Sequence, residues 1–265
     1  MILQSKGVTS HVERLGAGEQ VLLLHGWGPS SVTLEKHLLP LGRSLQKNHE
    51  VTMLEFPGHG SSGMPGDQWG VEQYAEWTLS LMDQLAMRQP VIIAHSFGGR
   101  VALWLAARHP ERVKVLVLTG CAGLRSKPGI QSTVRSYLFK FGRLGLDAMA
   151  LVPKLKSKRQ AWLDALRREF SSDDYMATPA LLRGSFSRIV RQDLRPLLKD
   201  IPHQTLLVWG EEDSATPLWM GKVMKKELQN ARLLVYQGDD HWAYNNQLPR
   251  YVTACESFLE EVDAT

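Results

Sequence analysis

The stretch that most restricts what this chain can become is Pro90 to Arg108, PVIIAHSFGGRVALWLAAR. Three β-branched residues in a row, Val91, Ile92 and Ile93, predict a buried strand, and the residues after Gly99 follow an apolar helical pattern. Only a tight turn fits between the two, and Ser96 sits at its apex. A serine so placed occupies a strained strand-to-helix turn that lifts its hydroxyl above a sheet. Gly98 and Gly99 let the turn and the helix approach their neighbours closely. The helix start aims unsatisfied N–H groups, Phe97 N–H nearest, at the place where negative charge develops in acyl transfer. The simpler reading is a serine N-cap on an ordinary helix. The two readings differ in where the hydroxyl goes.

The 265 residues, 43% of them hydrophobic, suffice for one large α/β core with an insertion to spare. Cys121 and Cys255 show no ligand or redox spacing and read as reduced thiols, so neither a disulfide nor a metal is expected to hold the fold. The start, MILQSKGVTS, has no basic segment followed by an apolar one, and no apolar run is long enough for a membrane span. These features predict a cytoplasmic protein. A net charge of +4 without an arginine-rich tract gives no reason to expect a nucleic-acid partner.

Along the chain, strands alternate with helices. A hairpin is expected over Met1 to Leu15, breaking at Lys6-Gly7, then strands at Val21–Leu24 and Val51–Leu54, with helical patterns at Leu34–Gln46 and Val71–Met87. Val113–Leu118, Thr205–Trp209 and Ala231–Tyr236 are further strands, and Leu248–Val262 a last helix. This order predicts a mostly parallel central sheet with helices on both faces, binding at the carboxyl ends of its strands. The alternation stops between residues 124 and 196. Val134, Tyr137, Leu138 and Phe141 have helical spacing there, as do Trp162, Leu163, Leu166 and Phe170, and Thr178-Pro179 reads as a helix start. The chain thus divides into core 1–123, a helical cap 124–196, and core 197–265. Residues 125–195 hold 15 Lys and Arg against 6 Asp and Glu. Solvated helix faces explain this excess, and an anionic substrate or acidic carrier protein is the sharper alternative.

A serine hydroxyl needs a base within reach, and that base needs an acceptor to hold its tautomer. Of nine histidines, His241 alone follows a strand end in a late loop, and Asp213 follows the preceding strand end. Glu211, Glu212 and Asp240 compete with Asp213, whose position four residues before Pro217, a predicted helix start, favours it. In the loop after the first buried strand, His25-Gly26-Trp27-Gly28, Trp27 N–H is the candidate second donor to an oxyanion. His25 reads as bonding loop backbone. Cys121, after the strand beside the nucleophile, and Trp242, beside the base, are candidate substrate contacts together with His25 and Gly26. Trp104, Trp162 and Trp219 read as packing.

Taken together, HGWG at 25–28, PGHGSS at 57–62, HSFGG at 95–99, the strand-GEED loop ending at Asp213, and GDDHW around His241 resemble the α/β-hydrolase superfamily over nearly the whole chain. The HGWG loop and compact cap are similar to those of small bacterial carboxylesterases, including those acting on pimeloyl acyl-carrier-protein methyl ester. The resemblance implies the α/β-hydrolase fold, Ser96 as nucleophile, His241 as base and acid, Asp213 as orienting acid, an oxyanion hole at Trp27 and Phe97, and no metal or organic cofactor. It implies ester hydrolysis, with carbon–carbon bond hydrolysis of ring-cleavage products, thioester or lactone hydrolysis, or a receptor role on the same fold as alternatives. Three positions depart from the usual pattern: Ala94 for the first elbow glycine, Glu55 for aspartate, and Asp240 for the glycine before the histidine. Asp240 places a second carboxylate next to the base.

Overall fold

The computed structural model describes residues 1–28, 33–125, 144, 161–163 and 173–264. Eight strands form one sheet in the order β1-β2-β4-β3-β5-β6-β7-β8. The first two make the expected hairpin, β1 (Ile2–Ser5) and β2 (Val8–Leu15), antiparallel, with Lys6 and Gly7 both at positive φ as a two-residue turn of matching twist requires. Strand β2 runs antiparallel to β4 (His49–Leu54), and from there the sheet is parallel: β3 (Glu19–Leu24), β5 (Val91–His95), β6 (Leu116–Thr119), β7 (Gln204–Gly210) and β8 (Asn230–Tyr236).

Side chains alternate across a strand, so a sheet covered on both faces needs apolar residues at every position. The middle strands meet that demand. Leu22, Leu24, Ile92, Ala94, Leu116, Leu118, Leu207 and Trp209 pack on one side with helices α2 (Val71–Gln84) and α3 (Phe97–Arg108). Val21, Leu23, Val91, Ile93, Val115, Val117, Leu206 and Val208 pack on the other with α1 (Leu39–Leu45) and the last helix, whose Tyr251, Cys255, Phe258 and Leu259 turn inward.

Three local expectations are corrected. The Leu34–Gln46 pattern is two pieces, a wide π-type turn over Leu34–Leu38 followed by α1, because Pro40 can occupy only the first turn of a helix. The strand expected from Val113 starts at Leu116, although Val113 and Val115 are buried. Thr178-Pro179 does not open a helix directly: a short 3-10 turn, Ala180–Leu182, intervenes. The chain divides into two compact units, one of Met1–Leu124 with Arg188–Thr265 and one of Arg125–Ser187. In the second, Asp173–Ala177 is α4, and α5 (Arg183–Arg191) begins there. The Val134–Phe141 pattern, Leu166 and Phe170 lie outside the described residues, whereas Trp162 and Leu163 are helical. The chain continues through α6 (Trp219–Glu227), α7 (Ala243–Asn246) and α8 (Leu248–Asp263). No described helix is long and apolar enough to cross a membrane.

The central strands set the stability of the sheet. Leu22→Ala, at a fully buried site in β3, is expected to cost about 2–5 kcal/mol, read as a lower urea midpoint with an unchanged slope.

Candidate active site

Ser96 has φ 50° and ψ −108°, left-handed backbone that a non-glycine residue adopts at a cost of about 1–3 kcal/mol. It immediately precedes α3, yet its side chain makes no capping hydrogen bond. The N-cap reading therefore fails, and the hydroxyl is released from backbone duty. Hydrogen bonds on both sides hold the turn: Ser96 N–H donates to Thr119 O at 3.0 Å, and Ser96 O accepts from Gly99 and Ala122 N–H. Gly98 donates to His25 O, and a Cβ there would stand 2.5 Å from Leu24 O, so this position tolerates no side chain. Ala94 lies in regular strand paired with Leu24 and Leu118, which is why its methyl does no harm.

Asp213 follows β7 and is buried, while Glu211 and Glu212 beside it are exposed. Its Oδ1 accepts from Ala215 and Thr216 N–H at 2.9 and 2.8 Å, and its Oδ2 lies 2.8 Å from Thr216 Oγ1 and 2.8 Å from His241 Nδ1. Thr216, just before the helix start expected at Pro217, turns its hydroxyl to Asp213 and to Gly120 O at 2.9 Å; α6 begins further on, at Trp219. With a carboxylate at Nδ1, the ring carries its hydrogen there and leaves the Nε2 lone pair to act as base. Between the strands of Ser96 and Asp213 lies the end of β6, at Gly120. A Cβ at Gly120 would come within 3.0 Å of Asp213 Oδ2 and 3.1 Å of His241 Nδ1, so glycine leaves this passage open. Among the described residues no hydrogen bond joins Ser96 Oγ to His241, a contact that free enzymes often tighten only with substrate bound.

Asp240 does not pair with His241. Its Oδ1 accepts from Trp242 N–H at 2.8 Å and Asn246 Nδ2 at 2.9 Å, turning the carboxylate toward α7.

The two candidate oxyanion donors meet through their side chains. The Trp27 ring packs edge-on against Phe97 at 5.2 Å and His59 at 4.7 Å. As the first residue of α3, Phe97 has an N–H with no partner inside the helix. The chain entering Trp27 passes Ser96 closely, since a Cβ on Gly26 would lie 3.2 Å from Ser96 Cβ.

Two candidate substrate contacts are corrected. Both nitrogens of buried His25 are occupied, Nε2 accepting from Phe56 N–H at 3.0 Å and Nδ1 donating to Gly26 O at 2.6 Å. Cys121 is fully buried against the first turn of α3, its thiol donating to Ala122 O at 3.2 Å, and burial pushes its pKa up to about 12. Trp242 is half-buried, stacked on His37 at 4.3 Å and 5.8 Å from the His241 ring. Trp104 is partly buried against the core, and Trp162 and Trp219 are partly exposed.

Glu55 proved structural. Buried at the head of the PGHGSS loop, it accepts from Ser61 N–H at 2.7 Å and Leu34 N–H at 3.3 Å and faces His11 Nδ1 at 3.2 Å. The longer glutamate reaches groups on both flanking segments. Sequence reasoning missed Thr216, His59 and His95 as parts of the site; adjacency to Asp213 and Ser96 was the available signal for the first and last. Among the described residues no group of three or more His, Cys, Asp or Glu is placed to hold a metal ion.

A family model described as alpha/beta hydrolase fold matches residues 20–246. The chain belongs to this family. Within it, the chain is 29% identical to 2-hydroxymuconate semialdehyde hydrolase of Pseudomonas sp. (strain CF600), over 97% of this chain and 93% of that one. It is 27% identical to a pimeloyl-[acyl-carrier protein] methyl ester esterase of Neisseria meningitidis, over 93% and 95%. A solved structure, the meta-cleavage product hydrolase of Pseudomonas fluorescens IP01, superposes with a TM-score of 0.73 at 24% identity, covering 98% of this chain and 97% of that one. The alpha/beta hydrolase described here is thus a hydrolase with relatives of more than one substrate class.

Asp213→Asn is expected to leave the fold intact by circular dichroism and to lower kcat about 10⁴-fold, through the wrong histidine tautomer. Acid should also loosen the fold. Burial holds His25 and His95 well below the usual histidine pKa and lowers His59 to about 4. These rings stay neutral in the folded chain and take up protons when it unfolds. Stability is therefore full above about pH 6.5 and falls as pH drops toward 4, by up to about 1.4 kcal/mol per pH unit for each ring. Urea midpoints recorded from pH 7 to pH 5 read this directly, and a flat profile would contradict it.

Proposed function

We propose that this hydrolase cleaves carboxylic esters through an acyl-enzyme on Ser96. One observation carries the reading: the buried Asp213 carboxylate stands 2.8 Å from His241 Nδ1, on the same strand-end edge of the sheet as a serine held at positive φ with its hydroxyl uncommitted. In this reading His241 Nε2 takes the Ser96 proton as Oγ attacks the ester carbonyl. Trp27 and Phe97 N–H receive the oxyanion. The imidazolium, stabilised by Asp213, protonates the leaving alcohol, and water activated by the same nitrogen releases the acid. No cofactor enters any step.

Several described side chains next to the oxyanion loop and the base, Trp27, Phe97, Tyr74, His59 and Trp242, are aromatic or held neutral, which suits an uncharged acyl group. The name of the Neisseria relative supports a carrier-borne ester as one form of this substrate. The excess of basic residues over 125–195 fits an acidic carrier.

A second reading is favoured by the name of the Pseudomonas relative: hydrolysis of a carbon–carbon bond in a ring-cleavage product by the same serine, histidine and aspartate. Turnover of p-nitrophenyl esters from acetate to dodecanoate, beside 2-hydroxymuconate semialdehyde, separates the two. Ester hydrolysis predicts a chain-length optimum whose kcat/KM exceeds that for the semialdehyde, and a loss of about 10³-fold or more in Ser96→Ala. Preference for the semialdehyde by tenfold would establish the second reading, and equal rates in wild type and Ser96→Ala would overturn both.

A further inference from the structure

His241 rides on the loop after β8, the edge strand, three strand positions from the β5 that delivers Ser96. At about 4.8 Å per strand that is a span of roughly 14 Å, which the loop must cross to bring a base to the nucleophile. Much of it is exposed: Gln237, Gly238 and Asp240 face solvent. Glu212 N–H donates to Asp239 O at 2.8 Å and ties the loop to the Asp213 side. On the nucleophile side, one described side chain hydrogen-bonds to the main chain of His241. His95, the residue before Ser96, places Nε2 3.0 Å from the backbone oxygen of His241 itself.

A carbonyl only accepts, so His95 carries its hydrogen on Nε2 and leaves Nδ1 as a bare acceptor. That Nδ1 is buried with no hydrogen-bond partner. Such orphans are uncommon and call for a reason. An apolar side chain would fill the space between Trp242 and Tyr244, whose rings lie 4.8 Å from His95, without that cost. The rest of the site is shaped around the imidazole: a Cβ on Gly26 would stand 2.8 Å from Nδ1, so the oxyanion loop can pass only as glycine. The His95 ring lies 4.6 Å from the His241 ring. Burial and that neighbour keep it neutral, so it sets no charge against an imidazolium.

We infer that His95 is a positioning residue: its Nε2–H fixes the main chain of His241 at the distance from Ser96 that proton transfer needs. It touches no reacting atom and acts through His241. The inference rests on the reading of Ser96 and His241 as nucleophile and base, and the test separates the two. His95→Leu and His95→Met both fill the space without a donor, while His95→Gln restores an N–H at similar reach. Each is compared with wild type for thermal midpoint, for kcat and KM on the best p-nitrophenyl ester, and for the rate of covalent labelling by a fluorophosphonate.

A positioning role predicts that whichever donor-less variant folds keeps KM within about twofold. Its kcat and labelling rate should fall roughly 10- to 100-fold, as small misplacements of a base do, and His95→Gln should recover most of the loss. Donor-less variants that label and turn over at wild-type rates would overturn the inference, as would a His95→Gln no faster than His95→Leu or His95→Met. A wild type that labels no faster than Ser96→Ala would instead sink the underlying reading of the nucleophile.

Discussion

Everything at the functional edge of this protein depends on holding one residue, Ser96, in backbone that it would leave if free. The cost of about 1–3 kcal/mol has to be met by neighbours that do not yield. They are the two central parallel strands on either side of β5, both buried on both faces, which supply Thr119 O to the Ser96 amide and the Leu24–His25 carbonyls against Gly98. The core and the site are thus one construction: the same apolar run that buries Ile92 and Ile93 delivers the strained serine at its end.

Charge is treated differently on the two sides of that serine. The Asp213 carboxylate is buried but fully used, with two backbone N–H groups, the Thr216 hydroxyl and the His241 ring around it. Stripping it of these partners would leave a buried anion uncompensated. The other buried rings, His25, His59 and His95, are kept neutral. The Asp213 carboxylate is thus a buried charge held against the His241 ring, which packs beside the rings of His95 and Trp242, where its field is little screened.

Most of the fold was legible in the chain because the middle strands are apolar at consecutive positions and end in glycine-rich loops. The errors came where local pattern and backbone chemistry disagree. Val113 and Val115 look like strand and are buried, and Val115 O accepts from Ile92 N–H, but regular strand begins only at Leu116. Pro40 divides a segment whose apolar spacing is continuous. At the site, spacing singled out Asp213, and its burial next to exposed Glu211 and Glu212 gives the physical ground for that choice. What sequence could not convey was partnership across the sheet. Nothing in the string GDDHW says that Asp240 turns away to Asn246, and nothing in AHSFG says that the histidine reaches the loop beyond β8. Cys121 illustrates the converse error, since closeness in the chain to the nucleophile strand suggested a pocket residue that is in fact packed beneath α3.

The two cysteines have a practical side. Cys121 and Cys255 are fully buried, and burial raises both thiols to about 12, so almost no thiolate is present at neutral pH. Maleimides, disulfide reagents and mild oxidants thus find no nucleophilic sulfur on the folded chain. A cysteine introduced on any exposed face, such as the outer turn of α8, would be the single handle such reagents recognise. Fluorophores, spin labels or surface tethers could be attached there without first removing the native thiols.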